Sequence, residues 1–234
     1  MFFDILTLFP DMFAGAFADS IISRAVEKQI VSITLTNIRD FSTDRHRSVD
    51  EYPFGGDAGM LMAPQPVDAA IRASKERLAQ HNPCVVYLSP SGEKLTHAVV
   101  EDLTRQQSLI LLCGRYKGVD QRVIDKQVDR EISIGDYVLS GGEIPAMVIV
   151  DAVTRLLPGS LGNRESAERD SFYCGLVSPP QYTRPEIWED MAVPSVLVSG
   201  HHEKIRQWQL EQAIALTQKR RPDLWNEYQK SNRK

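Results

Sequence analysis

The sequence predicts an α/β protein built on a largely parallel sheet, followed by a small, mostly helical C-terminal region. Three observations carry that prediction. Short, wholly apolar runs at residues 85–88 and 109–113 read as strands buried on both faces. Helical patterns separate these runs, as crossovers between parallel strands require. After Pro158 the apolar runs stop, and the rest of the chain is polar and mostly helical in pattern.

In chain order, residues 2–8 read as a buried first strand. Pro10 is suited to a first helical turn and opens a helical stretch to about Lys28. Val31, Ile33 and Leu35 alternate with Ser32, Thr34 and Thr36, the pattern of a half-buried strand. Residues 40–66 form a long loop rich in Gly, Pro and charge, and loops of that length are usually functional or mobile. A helix is expected over 67–80, a short strand at 85–88, and a helix capped by Thr96 and ending near Gln106. Residues 109–113 and 132–134 supply two further strands. An apolar helix should start at Pro145 and stop at Pro158-Gly159. The expected organisation is a first domain over 1–159, a polar, flexible linker over 160–175, and a helical domain over 176–234, with a long helix from about His201 to Arg221.

The chain has 234 residues, 42% hydrophobic and 25% charged, enough to bury a sizeable core. No apolar run reaches the roughly 18 residues of a membrane span. The N-terminal segment carries Asp4 and Asp11 without a basic leader, so it reads as a strand rather than a signal peptide. Cys84, Cys113 and Cys174 lie far apart, without the spacing of a structural zinc site. An odd cysteine count without a framework fits a reducing cytoplasm, where this chain is expected. The formal net charge of −4 argues against nucleic-acid binding through an overall positive field. The charge is uneven, however: 9 basic and 7 acidic residues from Gly175 onward, against 18 and 24 before it. Any recognition of RNA must therefore be local. His201 and His202 are adjacent and do not face one metal site well. Trp188, Trp208 and Trp225 read as core or interhelical packing.

Three glycine-marked loops each follow a short apolar strand: YLSPSG from Tyr87, GRYKGVD from Gly114, and IGDYVLSGGE from Ile134. In open parallel sheets, ligands bind where such loops leave the carboxyl ends of the strands. No GxxxxGK[ST] segment is present, nor a strand–GxGxxG–helix unit. Neither a P-loop triphosphate site nor a dinucleotide-binding oxidoreductase is therefore supported. Glycines let backbone N–H and C=O groups approach a ligand closely, which suits an adenosine-containing molecule without phosphates.

Together, in this order and at these spacings, the loops resemble those of the bacterial tRNA (guanine-N1)-methyltransferases. FDILTLFP, DRHRSVDEYPFGGDAGMLMAP, DAVTRLLPG, ESAERDSF and YTRPEIWEDMAVPSVLVSGHHEKIRQWQ extend the resemblance over nearly the whole chain. It implies a knotted, SPOUT-type fold with a deep trefoil knot that holds S-adenosyl-L-methionine. It also implies a homodimer whose active site takes parts from both subunits, no membrane association, and Mg2+-dependent catalysis without assigned ligands. The substrate would be the guanosine immediately 3′ of the tRNA anticodon, methylated at N1.

By resemblance, the cofactor pocket comprises Tyr87, Leu88, Ser89, Pro90 and Gly92, then Gly114, Arg115 and Tyr116, then Ile134, Gly135, Asp136, Tyr137, Val138, Leu139, Gly141 and Gly142. Asp170 would serve as general base, and Arg155 would stabilise charge on the target guanine. The residues alone leave another reading open, in which Arg155 caps its own helix and Asp170 a following turn. Two departures from the family pattern stand out: Lys117 where Glu is usual, and Asp57-Ala58 in FGGDAGM. An ion pair between Asp57 and Lys117 across the site would link the two. Alternatives that remain are a knotted methyltransferase acting at another RNA position and a noncatalytic RNA-binding protein.

Overall fold

The computed structural model describes residues 1–161 and 170–231. The chain divides into two compact units, Met1–Gly162 and Asn163–Lys234.

The first unit is built on a five-stranded sheet of order β2-β1-β6-β5-β7. Its strands are β1 (Phe2–Thr7), β2 (Ser32–Asn37), β5 (Cys84–Lys94), β6 (Ser108–Cys113) and β7 (Arg130–Ser133). Every pairing in this sheet is parallel. Alternation along the strands divides the core in two. Phe3, Ile5, Val86, Leu88, Leu109 and Leu111 pack with α1 (Ser20–Glu27), α3 (His97–Thr104) and α5 (Glu143–Leu156). Leu6, Val85, Tyr87, Ile110 and Leu112 pack instead with α2 (Pro64–Arg77) and α4 (Gln121–Gln127). Helices thus cover both faces, which is why the central strands are mostly apolar rather than alternating, with Asp4 of β1 a buried exception.

Several elements differ from their expected form. Residues 10–28 are not one helix: a single 3-10 turn at Pro10–Phe13 precedes α1. In edge strand β2, Leu35 is exposed and Thr36 is buried. The reason is the buried Asp4 on the neighbouring strand, which accepts from Thr36 Oγ1 at 2.8 Å and pairs with Arg77 at 3.2 Å. An apolar side chain in place of Thr36 would leave that carboxylate a donor short. The long loop contains a small hairpin, β3 (Asp50–Glu51) and β4 (Leu61–Met62). Thr96 does cap α3, accepting from the Val99 N–H at 3.4 Å, and α5 begins two residues before Pro145.

The second unit holds a two-stranded hairpin, β8 (Ile187–Trp188) and β9 (Met191–Ala192), with α6 (Ser195–Val198), α7 (His202–Arg220) and α8 (Pro222–Ser231). Trp225 stacks on Tyr228 and Trp208 lies tilted against Tyr182, whereas Trp188 is exposed on the hairpin rather than packed. Half of the expected linker, 162–169, lies outside the described residues. Of its described residues, Ser160 closes a turn onto Leu157 O at 3.2 Å, and 170–175 belong to a turn fastened by Phe172 N–H to Leu176 O at 2.7 Å and Ser178 N–H to Ser171 Oγ at 2.9 Å.

Candidate active site

The three glycine-marked loops leave the carboxyl ends of β5, β6 and β7, neighbours in the sheet, and meet around one cavity of about 410 Å³. That volume lies within the range of small-molecule sites. Each loop is held by a different local device. After Leu88, β5 bulges: Leu88 and Glu93 both pair with Ile132, so residues 89–92 loop out and the strand then rejoins β7. Ser89 and Ser91 join their hydroxyls across this bulge at 2.7 Å. The loop after β6 passes over the Tyr87 ring. A Cβ at Gly114 would come within 2.8 Å of Tyr87 Cε2, so glycine is required there. Tyr87 is buried, which pushes its phenol pKa up, and its hydroxyl accepts from the Val119 backbone. The third loop returns through Gly142, whose N–H donates to Gly114 O at 2.9 Å. A Cβ on Gly142 would stand 2.7 Å from Cys113 Cα.

A buried ion pair locks the second loop to the third. Glu143, only 1% exposed, opens α5 and accepts from Thr7 Oγ1 at 2.8 Å. Its other oxygen lies 3.0 Å from Arg115 Nε. The helix N-terminus favours a carboxylate at this position. Arg115 Nη1 donates to Ser140 O at 3.1 Å, and the guanidinium lies over the Phe9 ring.

Of the expected cofactor residues, all but Gly92 and Asp136 line the cavity. Gly92 lies against β7, where a Cβ would be 2.4 Å from backbone atoms of Glu131 and Ile132. It lets the bulged strand rejoin its neighbour instead of lining the pocket. Asp136 is exposed and faces Lys94 Nζ at 3.6 Å. Its alternation within the third loop turns it outward while Gly135 and Tyr137 face the cavity. The lining also includes Ser91, Lys117, Gly118, Ile132, Ser133, Ser140 and Pro145. Most of these are interleaved with expected positions, and the loop motifs were the only signal that pointed to them.

Arg155 is half-buried in the last turn of α5 and is not among the lining residues. Asp170 is exposed at a bend in the second unit. Lys117 lays its stem over Gly59, where a Cβ would come within 3.2 Å of Lys117 Cε. Among the described residues it forms no ion pair with Asp57 within 4.0 Å, so the expected link between the two departures is absent. The glycine-bearing loop receives the lysine's aliphatic stem instead of its charge.

The model of the family described as tRNA (guanine-1)-methyltransferase TrmD matches residues 1–227. This chain belongs to that family. Proteins named tRNA (guanine-N(1)-)-methyltransferase are similar along nearly their whole length. One from Alkaliphilus oremlandii is 50% identical over 232 residues, covering 97% of this chain and 93% of the relative. Another, from Janthinobacterium sp., is 52% identical over 227 residues, 96% and 91% of the two chains. A third, from Pseudomonas aeruginosa, is 51% identical over 220 residues, 94% and 87%. The matched span includes the cavity loops, Arg155 and Asp170 alike.

Proposed function

We propose that this tRNA (guanine-N1)-methyltransferase transfers the methyl group of S-adenosyl-L-methionine to N1 of the guanosine immediately 3′ of the anticodon. The observation that carries this reading is the meeting of the three family loops around one small-molecule cavity.

The cavity fits the methyl donor in size and chemistry. Its walls combine apolar side chains such as Leu88, Ile132 and Pro145 with the backbone of the glycine loops and the Ser89 and Ser91 hydroxyls. Arg115, the cation deepest among the loops, is committed to Glu143 and Ser140. Such a lining suits an uncharged adenosine edge better than phosphates. Bound there, S-adenosyl-L-methionine would supply an electrophilic methyl on a sulfonium whose sulfur leaves as a neutral thioether. Residues 134, 135, 137–139 and 87–90 would hold the adenosine, and Gly141-Gly142 would let backbone approach it.

Guanine N1 carries a proton that must leave as the N1–methyl bond forms. The Asp170 carboxylate takes that proton, a role worth ~10²–10⁴-fold in rate. Negative charge moves onto O6 of the base, where the permanently cationic Arg155 donates hydrogen bonds to it. The S–CH3 bonding pair stays with sulfur, so charge and atoms balance without an activating metal.

The site is completed in a homodimer. Arg155 stands twelve residues after Glu143 on α5, about 18 Å along the helix axis. It is not among the residues lining the cavity that the start of α5 borders, and in this reading a second subunit supplies it. Half-exposed Ile144 and Val148 lie one helical turn apart on α5, and exposed Phe9 and Met12 belong to the segment around the 3-10 turn that α5 packs against. This apolar face is suited to the dimer contact. In this reading the loops around the cavity are knotted, as the family resemblance implies. For Mg2+, no group of three or more His, Cys, Asp or Glu residues placed to hold a metal ion occurs among the described residues. The second unit, richer in basic residues, is the tRNA-binding domain in this reading, and the cytoplasm the setting.

The test is transfer from labelled S-adenosyl-L-methionine to tRNA transcripts bearing G or A just 3′ of the anticodon. Label should enter only the G transcript, as 1-methylguanosine, and Asp170→Ala should lower the rate at least a hundredfold. Equal labelling of both transcripts would overturn the assigned target, and an active Asp170→Ala enzyme the assigned base.

A further inference from the structure

The loop joining β3 to β4, residues 52–60, packs against Lys117 at the cavity's rim and presents aromatic side chains that the described residues of its own unit leave exposed. Phe54 is 99% exposed and Tyr52 is 79% exposed. The loop's ends are tied to the second cavity loop: Lys117 N–H donates to Met60 O at 3.0 Å, Met62 N–H to Gly118 O at 2.9 Å, and Tyr116 Oη to Asp50 at 3.3 Å. The rings therefore project from a fixed base at the cavity's edge. Gly55, Gly56 and Gly59 have φ of +97°, +81° and +105°, and a Cβ at Gly55 or Gly56 would meet nothing within 4 Å. The tip stands clear of the described residues of its own unit. Beside it Lys117 lines the cavity, its stem against Gly59, without an ion pair among the described residues.

We propose that Phe54, assisted by Tyr52, stacks on an unpaired tRNA base adjacent to the target guanine, and that Lys117 holds the phosphate of that nucleotide. The inference rests on tRNA being the substrate of the neighbouring cavity. An enzyme that alkylates N1 of a base must present that base unpaired, and its neighbours lose stacking partners when it leaves the stack. Proteins hold such nucleotides by stacking bases on exposed aromatic rings and by pairing phosphates with cations, and these rings and this cation share one rim. A protein partner would call for a continuous apolar patch, whereas the loop surrounds its rings with Gly55, Gly56 and Asp57.

The experiment compares wild type, Phe54→Ala, Phe54→Trp, Lys117→Ala and Lys117→Arg in steady-state methylation of a G-bearing tRNA transcript, with donor affinity titrated separately. Phe54→Ala should raise the KM for tRNA between about fivefold and a hundredfold, the weight of one base–aromatic stack, and Phe54→Trp should restore it. Donor affinity and thermal unfolding should not move. Lys117→Ala should raise the same KM and reduce the slope of log affinity against log salt by about one, with Lys117→Arg restoring both. An unchanged tRNA KM in Phe54→Ala overturns the stacking role, as does a change in its oligomeric state, which would place the ring in a protein interface. Weakened donor binding in Lys117→Ala, with tRNA affinity intact, overturns the phosphate contact. Wild type that methylates no tRNA overturns the substrate reading itself.

Discussion

Glu143 shows what a single buried charge does here. It is held at once by the start of α5, by the Thr7 hydroxyl and by Arg115. Removing it strands a mostly buried guanidinium, and breaking such a pair costs about 3–5 kcal/mol. Glu143→Ala should therefore lower the urea midpoint of the first unit substantially, with Thr7→Ala costing less. Equal midpoints for wild type and Glu143→Ala would show that the pair does not hold the loops. The thiols make a second residue-level case. Burial and neighbouring charge push Cys84 up to about 11 from 9.0, and burial pushes Cys113 well above its ordinary value. Cys174 is exposed. Alkylation followed by mass spectrometry near pH 8 should modify Cys174 first. Because the folded state holds the Cys84 proton more tightly than the unfolded chain does, its contribution to stability is full below about pH 9. That contribution should be lost as pH rises toward about 11.

At the scale of elements, the site depends on backbone passing close to backbone. Gly142→Ala would push a methyl to 2.7 Å from Cys113 Cα, and Gly92→Ala would push one to 2.4 Å from Glu131 and Ile132 backbone. Neither neighbour is a flexible side-chain end. Overpacking of this kind costs about 1–3 kcal/mol or more, and calorimetry should show both variants losing stability and methyl-donor affinity together. Gly15→Ala, with nothing within 4 Å and no left-handed φ, is the control and should stay within about 0.5 kcal/mol. A stable Gly92→Ala protein with full donor affinity would mean that the bulge relaxes freely.

Across the whole molecule, charge and assembly set the terms for the substrate. A chain with net charge −4 attracts a polyanion only through local patches, so tRNA affinity should depend on a few contacts rather than on the overall field. The dimer is the other molecular-scale requirement of the proposed mechanism. Ile144→Asp combined with Val148→Asp, on the exposed face of α5, should give a monomer in sedimentation. If the proposed shared site holds, that monomer should keep its fold but lose methyl transfer, since Arg155 does not line its own subunit's cavity. An active monomer would overturn the shared site.

Much was legible without coordinates. The parallel α/β layout follows from apolar runs separated by helical patterns, since a strand covered on both faces carries mostly apolar side chains, any polar one needing a partner such as those of Asp4. The loops that line the cavity were readable because glycines after buried strands are required by close backbone approach, and their combination matched one family over residues 1–227. What the one-dimensional pattern could not contain is which way a side chain turns when the chain doubles back. Gly92 and Asp136 lie within the right motifs, yet the rejoining of β5 with β7 assigns one to backbone packing and turns the other toward Lys94. Thr36 is buried and Leu35 exposed because Asp4, distant in sequence, needs a donor. Lys117 meets Gly59 rather than Asp57. The sequence by itself determined the fold class, the family and the loops that build the cavity, because these depend on local periodicity and backbone freedom. Only the tertiary structure decided which residues face that cavity, since burial and pairing are settled by neighbours far away along the chain.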